Sequence, residues 1–196
     1  MTGFYHDGNR QLQDRYDTRR LADRLEDRSR VAFSDGDRAL IGAADMFFLA
    51  TVTPDGQPTC SYKGGDPGFV RVLDERTLGF PNYDGNGMYL SMGNLSVNPR
   101  VGMLFVDFAA PRRLRVEGTA SVAPDDSLVE EYPEAQFVVR VEATRIYPNC
   151  PRYIHRMELV ERSRFVPHRE QQTPVPDWKR SDWARDVLPR RDQEAG

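Results

Sequence analysis

The spacing of polar and apolar positions changes at Met46. Before it, residues 14–30 alternate Asp and Arg around a thin stripe of Leu and Tyr, with acid–base pairs three and four residues apart. This pattern is typical of an exposed helix. We predict a charged helical arm over residues 1–38, with one helix from Asp14 to Arg30. A second short helix, Arg38–Ala44, is expected to be capped by Asp35.

Beyond Met46 apolar residues recur at every second position, and turn residues arrive at short intervals. Pro, Asp and Gly at 54–56 supply a tight turn, and the glycines at 64 and 65 break the chain again. The predicted strands are Phe47–Thr53, Pro58–Lys63, Phe69–Leu73, Thr77–Phe80, Arg100–Phe108, Leu114–Ala123 and Ala135–Tyr147. Their hairpin-length connections favour an antiparallel β-barrel or sandwich with helical additions, and exclude a doubly wound parallel sheet.

Composition narrows the class of protein. The 196 residues fit a single domain, and no apolar run approaches the roughly 18 residues of a membrane-spanning helix. The first residues lack the apolar core of a secretory signal, so we expect a cytoplasmic protein without a membrane partner. A net charge of −3 argues against a nucleic-acid partner, which usually selects a basic excess.

Cysteine and histidine positions do not indicate a metal site. Cys60 and Cys150 are far apart in the chain and form no C-x-x-C pair, so we expect buried structural thiols. The histidines, His6, His155 and His168, are scattered. We predict no bound metal and assign no catalytic acid, base or nucleophile.

Two segments interrupt the strand rhythm. After residue 81 the chain reads N-Y-D-G-N-G. The sequence that follows predicts a helix, Met88–Leu95. Glycines before a helix start expose backbone N–H groups to a phosphate, although an ordinary glycine-rich turn fits the same spacing. The second segment, Y-P-N-C-P-R-Y-I-H at 147–155, is stiffened by two prolines. It is either a sharp corner or a pocket wall carrying Asn149, Arg152 and Tyr153.

Several short motifs, taken in order, resemble one known family. They are F-L-A-T-V-T-P-D-G-Q-P at 48–58, S-Y-K at 61–63, T-L-G-F-P-N-Y at 77–83, N-L-S-V-N-P-R-V at 94–101, G-M-L-F-V-D at 102–107 and P-N-C-P-R-Y-I-H at 148–155. This order and spacing resembles the flavin-nucleotide-binding split-barrel proteins related to pyridoxamine 5′-phosphate oxidase. The last motif resembles a subgroup that is mostly uncharacterised.

The resemblance implies a fold, a partner and a cofactor. It implies a homodimer of six-stranded antiparallel split β-barrels, with FMN held at the subunit interface. The barrel would span residues 39–166. Residues 167–196 would form a tail that wraps the partner subunit or is partly disordered.

The resemblance also implies which residues contact the cofactor. They are Thr59, Ser61, Lys63, Phe80, Pro81, Asn82, Tyr83, Asn86, Gly87, Met88 and Arg152. Lys63 would supply the fixed positive charge that a phosphate needs. Arg152 would reach the partner's flavin and tune its potential. The turn D-G-N-G-M at 84–88 departs from the family pattern, because it lacks the basic side chains expected before the helix.

The favoured hypothesis is an FMN-dependent oxidoreductase that passes hydride or electrons between reduced nicotinamide and a small acceptor. A flavin-nucleotide carrier, store or sensor without turnover is the first alternative. A deazaflavin-dependent reductase is the second, although its acidic tail needs more cations than the 84–88 turn offers. A haem-binding relative is disfavoured because no histidine is assigned as an axial ligand. A plain interaction domain is the remaining alternative.

Overall fold

Seven antiparallel strands form one sheet in the computed structural model, which describes residues 3–193. The strands are β1 Met46–Val52, β2 Pro58–Gly64, β3 Arg71–Val72, β4 Thr77–Asn82, β5 Arg100–Asp107, β6 Arg112–Ala123 and β7 Phe137–Pro148. Their order across the sheet is β2-β1-β5-β6-β7-β4-β3. The prediction of a mainly β, antiparallel protein with helical additions is confirmed.

The expected count of six strands is wrong. The seventh is the short edge strand β3, which pairs through Arg71 and Val72 with Gly79 and Leu78 of β4. The predicted segment Phe69–Leu73 shrinks to these two residues because Phe69 and Val70 turn into the core instead of joining the ladder. Within residues 3–193 no backbone ladder joins the two edge strands, β2 and β3.

Four phenylalanine rings form the centre of the core. The ring of Phe47 on β1 lies 5.9 Å from Phe69, 5.0 Å from Phe80 and 5.3 Å from Phe105, measured between centroids. These rings come from segments that are distant in sequence, so the core joins both halves of the sheet. Aromatic packing of this kind adds about 0.5–1.5 kcal/mol per pair to the burial of apolar area.

Helices flank the sheet. They are α1 Asp7–Arg15, α2 Arg19–Glu26, α3 Asp35–Ala43, α4 Leu90–Val97 and α5 Arg190–Gln193, with 3-10 turns at Ser127–Glu131, Asp177–Arg180 and Arg185–Val187. None of the helices within residues 3–193 has the length and apolar character needed to cross a bilayer. Residues 1–2 of the predicted arm and 194–196 of the predicted tail lie outside the described residues.

The N-terminal arm contains two helices where we predicted one. The break between α1 and α2 falls at Asp17, whose φ of 52° is left-handed and cannot continue a right-handed helix. The arm is fastened to the sheet at Arg30, which forms an isolated antiparallel bridge with Ile146 of β7. The arm therefore adds a polar outer layer beside the last strand.

Two helix starts differ from the prediction. Ser34, not Asp35, caps α3, because the Ser34 hydroxyl accepts from the Asp37 N–H and the Asp37 carboxylate accepts from the Ser34 N–H. Helix α4 begins at Leu90 instead of Met88, since Tyr89 has a φ of 48° and acts as its N-cap. Both differences arise from local backbone geometry that the apolar pattern does not contain.

Candidate functional site

A cleft of about 990 Å³ opens at the ends of β2, β4 and β5. The end of α3 and the start of β1 complete its inner wall, and residues 157–166, which we call the outer strap, form the opposite wall. Strand ends bring Lys63, Tyr83 and Asp107 to this cleft although they are far apart in the chain. A concave, partly apolar space with few convergent polar groups is the usual form of a small-molecule site.

Lys63 is the charged group at the inner wall of the cleft. It is the next-to-last residue of β2 and pairs with Phe47 of β1, one of the core rings. Burial lowers the pKa of Lys63, because the surrounding protein solvates the ammonium less well than water does. Within residues 3–193 its ammonium has no ion-pair partner. An anionic ligand in the cleft would supply the missing counter-charge.

Thr59 and Ser61 share the inward face of β2 with Lys63 but are not part of the cleft lining. The Thr59 hydroxyl lies 2.8 Å from the Thr51 hydroxyl and accepts from the Asn94 side-chain amide at 3.3 Å. These contacts attach α4 to the sheet. The Ser61 hydroxyl points along its own strand, 3.4 Å from the carbonyl of Tyr62. The structure thus brings only the last of these three predicted residues to the cleft.

Strand β4 divides its predicted residues between core and cleft. Phe80 is buried among the core rings and is absent from the cleft lining. Pro81, Asn82 and Tyr83 line the cleft. The Asn82 side-chain amide donates to the side-chain oxygen of Gln136 at 2.9 Å, which fixes the end of β4 against the segment before β7.

Tyr83 is a neutral hydrogen-bonding group in the cleft wall. Burial, reinforced by the neighbouring Tyr132 and Asp66, raises the pKa of the Tyr83 phenol to about 12. The hydroxyl therefore keeps its proton throughout the physiological range and can act as donor or acceptor. A neutral phenol with an aromatic face suits a planar ring that carries carbonyl and imino groups.

The glycine-rich turn after β4 contributes less than predicted. Asp84 and Gly85 line the cleft, whereas Asn86, Gly87 and Met88 are exposed and lie outside its lining. The Asn86 side-chain oxygen accepts from the backbone N–H of Met88 at 3.1 Å and closes a local turn. That turn uses the N–H group that we expected to face a phosphate.

Cations missing from the turn are supplied by the C-terminal region. The Lys179 ammonium lies 2.6 Å from the Asp84 carboxylate, and the Arg191 guanidinium donates to the same group at 2.6 Å. Lys179 is 7% exposed and also bonds Asp192 at 2.9 Å. Sequence reasoning missed this cluster. Its only signal was that Lys179 is the second of two lysines in an arginine-rich chain.

The outer strap also escaped the sequence analysis. Its backbone is anchored where the Met157 N–H donates to the Phe108 carbonyl at 3.1 Å. Further along, the Arg162 guanidinium lies 3.4 Å from Asp66 and 3.7 Å from Asp45. The sequence M-E-L-V-E-R-S-R-F has neither helical nor strand periodicity that would have marked it as a cleft wall.

Arg152 lies away from the cleft of its own chain. Its guanidinium is 6.0 Å from the ring centroid of Tyr153, and both residues are exposed. The contact with a partner's flavin therefore stays a prediction.

Cys60 and Cys150 are exposed free thiols, so our expectation of buried cysteines is wrong. In the described part of the chain no three His, Cys, Asp or Glu side chains are grouped to hold a metal.

An antiparallel β-sheet flanked by helices, with a cleft at its strand ends, defines the class of fold. The family model of pyridoxamine 5′-phosphate oxidase matches residues 33–157. This range includes every strand and most of the cleft, and the chain belongs to that family. The family resemblance noted in the sequence is thereby confirmed.

Individual relatives are more distant. A pyridoxine/pyridoxamine 5′-phosphate oxidase of Rubrobacter xylanophilus is 31% identical over 149 residues, which are 74% of this chain and 62% of the relative. The chain thus matches less than two thirds of that relative's length. A solved structure from Lactobacillus delbrueckii, provisionally assigned as such an oxidase, shares the fold at 23% identity and a TM-score of 0.50, covering 60% of this chain and 95% of its own. An FMN-binding protein of Syntrophomonas wolfei is 14% identical, with a TM-score of 0.43 over 72% of this chain and 97% of its own.

Proposed function

We propose that this protein is an FMN-binding oxidoreductase that transfers hydride or electrons between reduced nicotinamide and a small acceptor. The observation that carries the proposal is the half-buried Lys63 ammonium, which lines the cleft and has no counter-charge within residues 3–193. A buried unpaired cation is costly unless an anion joins it. Family membership makes a flavin phosphate the anion of choice.

The charged residues around Lys63 support the binding of one anionic group at this lysine. Of the five carboxylates that line the cleft, three already have cationic partners: Asp107 has Arg112 at 2.7 Å, Asp84 has Lys179 at 2.6 Å and Asp45 has Arg162 at 3.7 Å. Binding of a phosphate to Lys63 would raise the pKa of the ammonium back towards its ordinary value, since an opposite charge favours the charged form. Gly85 gives the phosphate access to the backbone, because its site has no side chain within 4 Å that a ligand must displace.

The remaining walls suit the isoalloxazine ring. Pro81 of β4 and Tyr83, just after β4, would face it. Met157, Leu159 and Phe165 of the outer strap would supply apolar surface. Bound FMN supplies hydride and one-electron chemistry, so the protein needs no acid, base or nucleophile of its own. The residues of this chain hold the ring, exclude water from its faces and offer the Tyr83 hydroxyl as a neutral donor.

Cleft size favours turnover over storage. A volume of about 990 Å³ lies at the upper end of the range for small-molecule sites. This space accommodates a second ligand beside the flavin, as hydride transfer requires.

A deazaflavin with an acidic tail is less suitable, because Arg112 and Arg162 are engaged by Asp107 and Asp66. A haem is less suitable because no histidine among residues 3–193 lines the cleft.

We also propose that the protein is a homodimer of split barrels with the flavin at the subunit interface. The open edge of β2 and its exposed Tyr62, which also lines the cleft, support this arrangement. A partner placed there would complete the cleft from outside.

The cofactor test is the visible absorption spectrum of the protein as purified, with the chromophore released by heat and identified by mass. We expect a yellow protein with one FMN per chain. Lys63→Met should weaken FMN affinity about tenfold to a hundredfold, because a charge-assisted hydrogen bond is lost. Lys63→Arg should recover much of the affinity, and Arg100→Met, an exposed arginine outside the cleft, is the matched control. Unchanged affinity in Lys63→Met would remove Lys63 from the site.

Turnover is tested separately from binding. Reduced nicotinamide mixed anaerobically with the yellow protein should bleach the flavin absorption, and a small quinone or dye acceptor should restore it. A yellow protein that reduced nicotinamide cannot bleach would be a flavin carrier or sensor. A colourless protein that takes up a deazaflavin but no FMN would reassign the cofactor.

A further inference from the structure

Two carboxylates beside the cleft each contact two basic side chains of the C-terminal region. Asp66, after β2, lies 3.4 Å from the Arg162 guanidinium and 3.3 Å from the His168 imidazole. Asp84, after β4, lies 2.6 Å from both Lys179 and Arg191. Because these carboxylates follow different strands, the same C-terminal region is fastened at two separate points of the cleft rim.

The part of this region that covers the cleft lies before and around the first fastener. Residues 157–166 line its outer wall, and no residue from 149 to 176 belongs to a helix or strand. Leu159 and Val160 are 59% and 97% exposed, so this stretch has little apolar burial to fix it in place. Its position depends on the backbone bond at Met157 and on the ion pairs of Arg162 with Asp45 and Asp66.

The two fasteners differ in strength. The Asp66 and Arg162 side chains are 39% and 43% exposed, and their separation of 3.4 Å is long for a charge-assisted bond. Exposed pairs of this kind contribute about 0.2–1 kcal/mol and break readily. The Lys179 side chain is 7% exposed and bonds two carboxylates, so its removal takes away the partner of Asp192 and leaves Asp84 with Arg191 alone. We therefore expect the contact between Arg162 and Asp66 to break first, while the contact between Lys179 and Asp84 stays closed and acts as the hinge.

We propose that residues 157–192 form a two-point clasp, fastened at Asp66 and Asp84, that closes the cleft over bound flavin and limits the rate at which flavin leaves. Arg162 and Lys179 are its positioning residues, because they act through the wall that they hold. The proposal rests on the proposed function, since flavin is the ligand being retained.

The experiment uses the full chain and two readouts. The variants are Lys179→Met and Arg162→Gln, with the conservative changes Lys179→Arg and Arg162→Lys as rescues. Arg185→Gln is the matched control, since Arg185 pairs with Asp182 inside the same region, away from the cleft. The first readout is the rate of FMN release after dilution, followed by flavin fluorescence. The second is the rate of trypsin cleavage after Arg164 and Arg169 without added flavin, with fragments identified by mass.

Release of FMN should be about fivefold faster in Arg162→Gln and about tenfold faster in Lys179→Met. The rescue variants should return within about twofold of wild type, and Arg185→Gln should be unchanged. Trypsin should cleave the first two variants faster even without flavin. Bound flavin that leaves both variants at the wild-type rate overturns the clasp and leaves the proposed function standing. If wild-type protein binds no flavin, both the proposed function and the clasp are overturned. Failure of the clasp alone can therefore be distinguished from failure of the proposed function.

Discussion

Asp37 is the carboxylate that joins the N-terminal arm to α3. Its side chain accepts from Arg30 Nε at 3.0 Å and from the Ser34 N–H at 2.8 Å, while it is only 5% exposed. Burial by itself would raise the pKa of Asp37, but the hydrogen bonds from Arg30 and Ser34 outweigh it and hold the pKa below the ordinary value. The native state therefore prefers the ionised carboxylate more strongly than the unfolded chain does.

Asp37→Asn should lower the free energy of unfolding by about 2 kcal/mol at neutral pH, because it removes charge-assisted bonds to a buried group. The folded-state pKa is depressed, so this contribution is fully present above the unfolded value of 3.8 and is lost as pH falls through the folded value. Urea titrations at pH 7 and near pH 3 measure the difference. A gap between wild type and variant that does not narrow in acid would contradict the assignment.

The two lysines show which site residues a sequence can indicate. Lys63 could be predicted, because it ends a strand of clear period-two pattern within recognisable motifs. Lys179 could not, since its partner Asp84 lies 95 residues away and no local pattern joins them. The strands that contain Phe80 and Thr59 are predicted correctly, which is why both residues are expected at the site. How deeply each side chain is buried depends on neighbouring strands and helices that the sequence alone does not reveal.

At the scale of elements, the longest strands carry one irregularity. The β6–β7 ladder shifts register between Glu117 and Gly118, the mark of a β-bulge. A methyl group on Gly118 would lie 2.5 Å from the Glu142 carbonyl oxygen and 2.7 Å from Val141 Cγ1. The bulge brings the two backbones too close for any side chain.

Gly118→Ala should therefore destabilise the protein by about 3 kcal/mol, the upper end of the cost of overpacking. Gly42→Ala is the matched control, because Gly42 lies exposed in α3 with nothing within 4 Å of an added methyl group. That change should stabilise by about 0.5–1 kcal/mol through helix propensity. Urea midpoints of both variants provide the comparison, and equal effects would show that the bulge tolerates a side chain.

Strands were easier to predict than helices for a physical reason. Alternation over β5 and β6 reflects one face towards the core and one towards solvent, so the pattern survives in the sequence. The helices of the arm are mostly exposed and held by ion pairs, so their apolar pattern carries little information about where they end. A single left-handed residue, Asp17, decided the break.

At the scale of the whole molecule, the outer face of the β2-β1-β5 edge is apolar. The register places Ala50 opposite Cys60 and Gly102, and Phe48 opposite Tyr62 and Leu104, on this face. Several of these side chains are exposed or half-buried in the single chain. Contiguous apolar surface on a sheet is where a second subunit gains most from docking.

We expect wild-type protein to sediment with about twice the 22.4 kDa mass of one chain. Ala50→Arg should sediment as a monomer at the same concentration, because docking would bury an unpaired charge. Thr119→Arg, at an exposed position of β6, serves as the control. A wild-type monomer would rule out the dimer, and a dimeric Ala50→Arg would move its interface to another face.

Both tryptophans of the protein, Trp178 and Trp183, lie in the clasp, where their rings stack at 6.0 Å. The Lys179 ammonium is 5.8 Å from the Trp178 ring, so the indole senses the fastener directly. Tryptophan fluorescence consequently reports on the clasp and little on the sheet, whereas far-ultraviolet circular dichroism is dominated by the sheet. A fluorescence transition at lower urea than the dichroism transition would be the optical signature of a clasp that opens while the sheet stays folded.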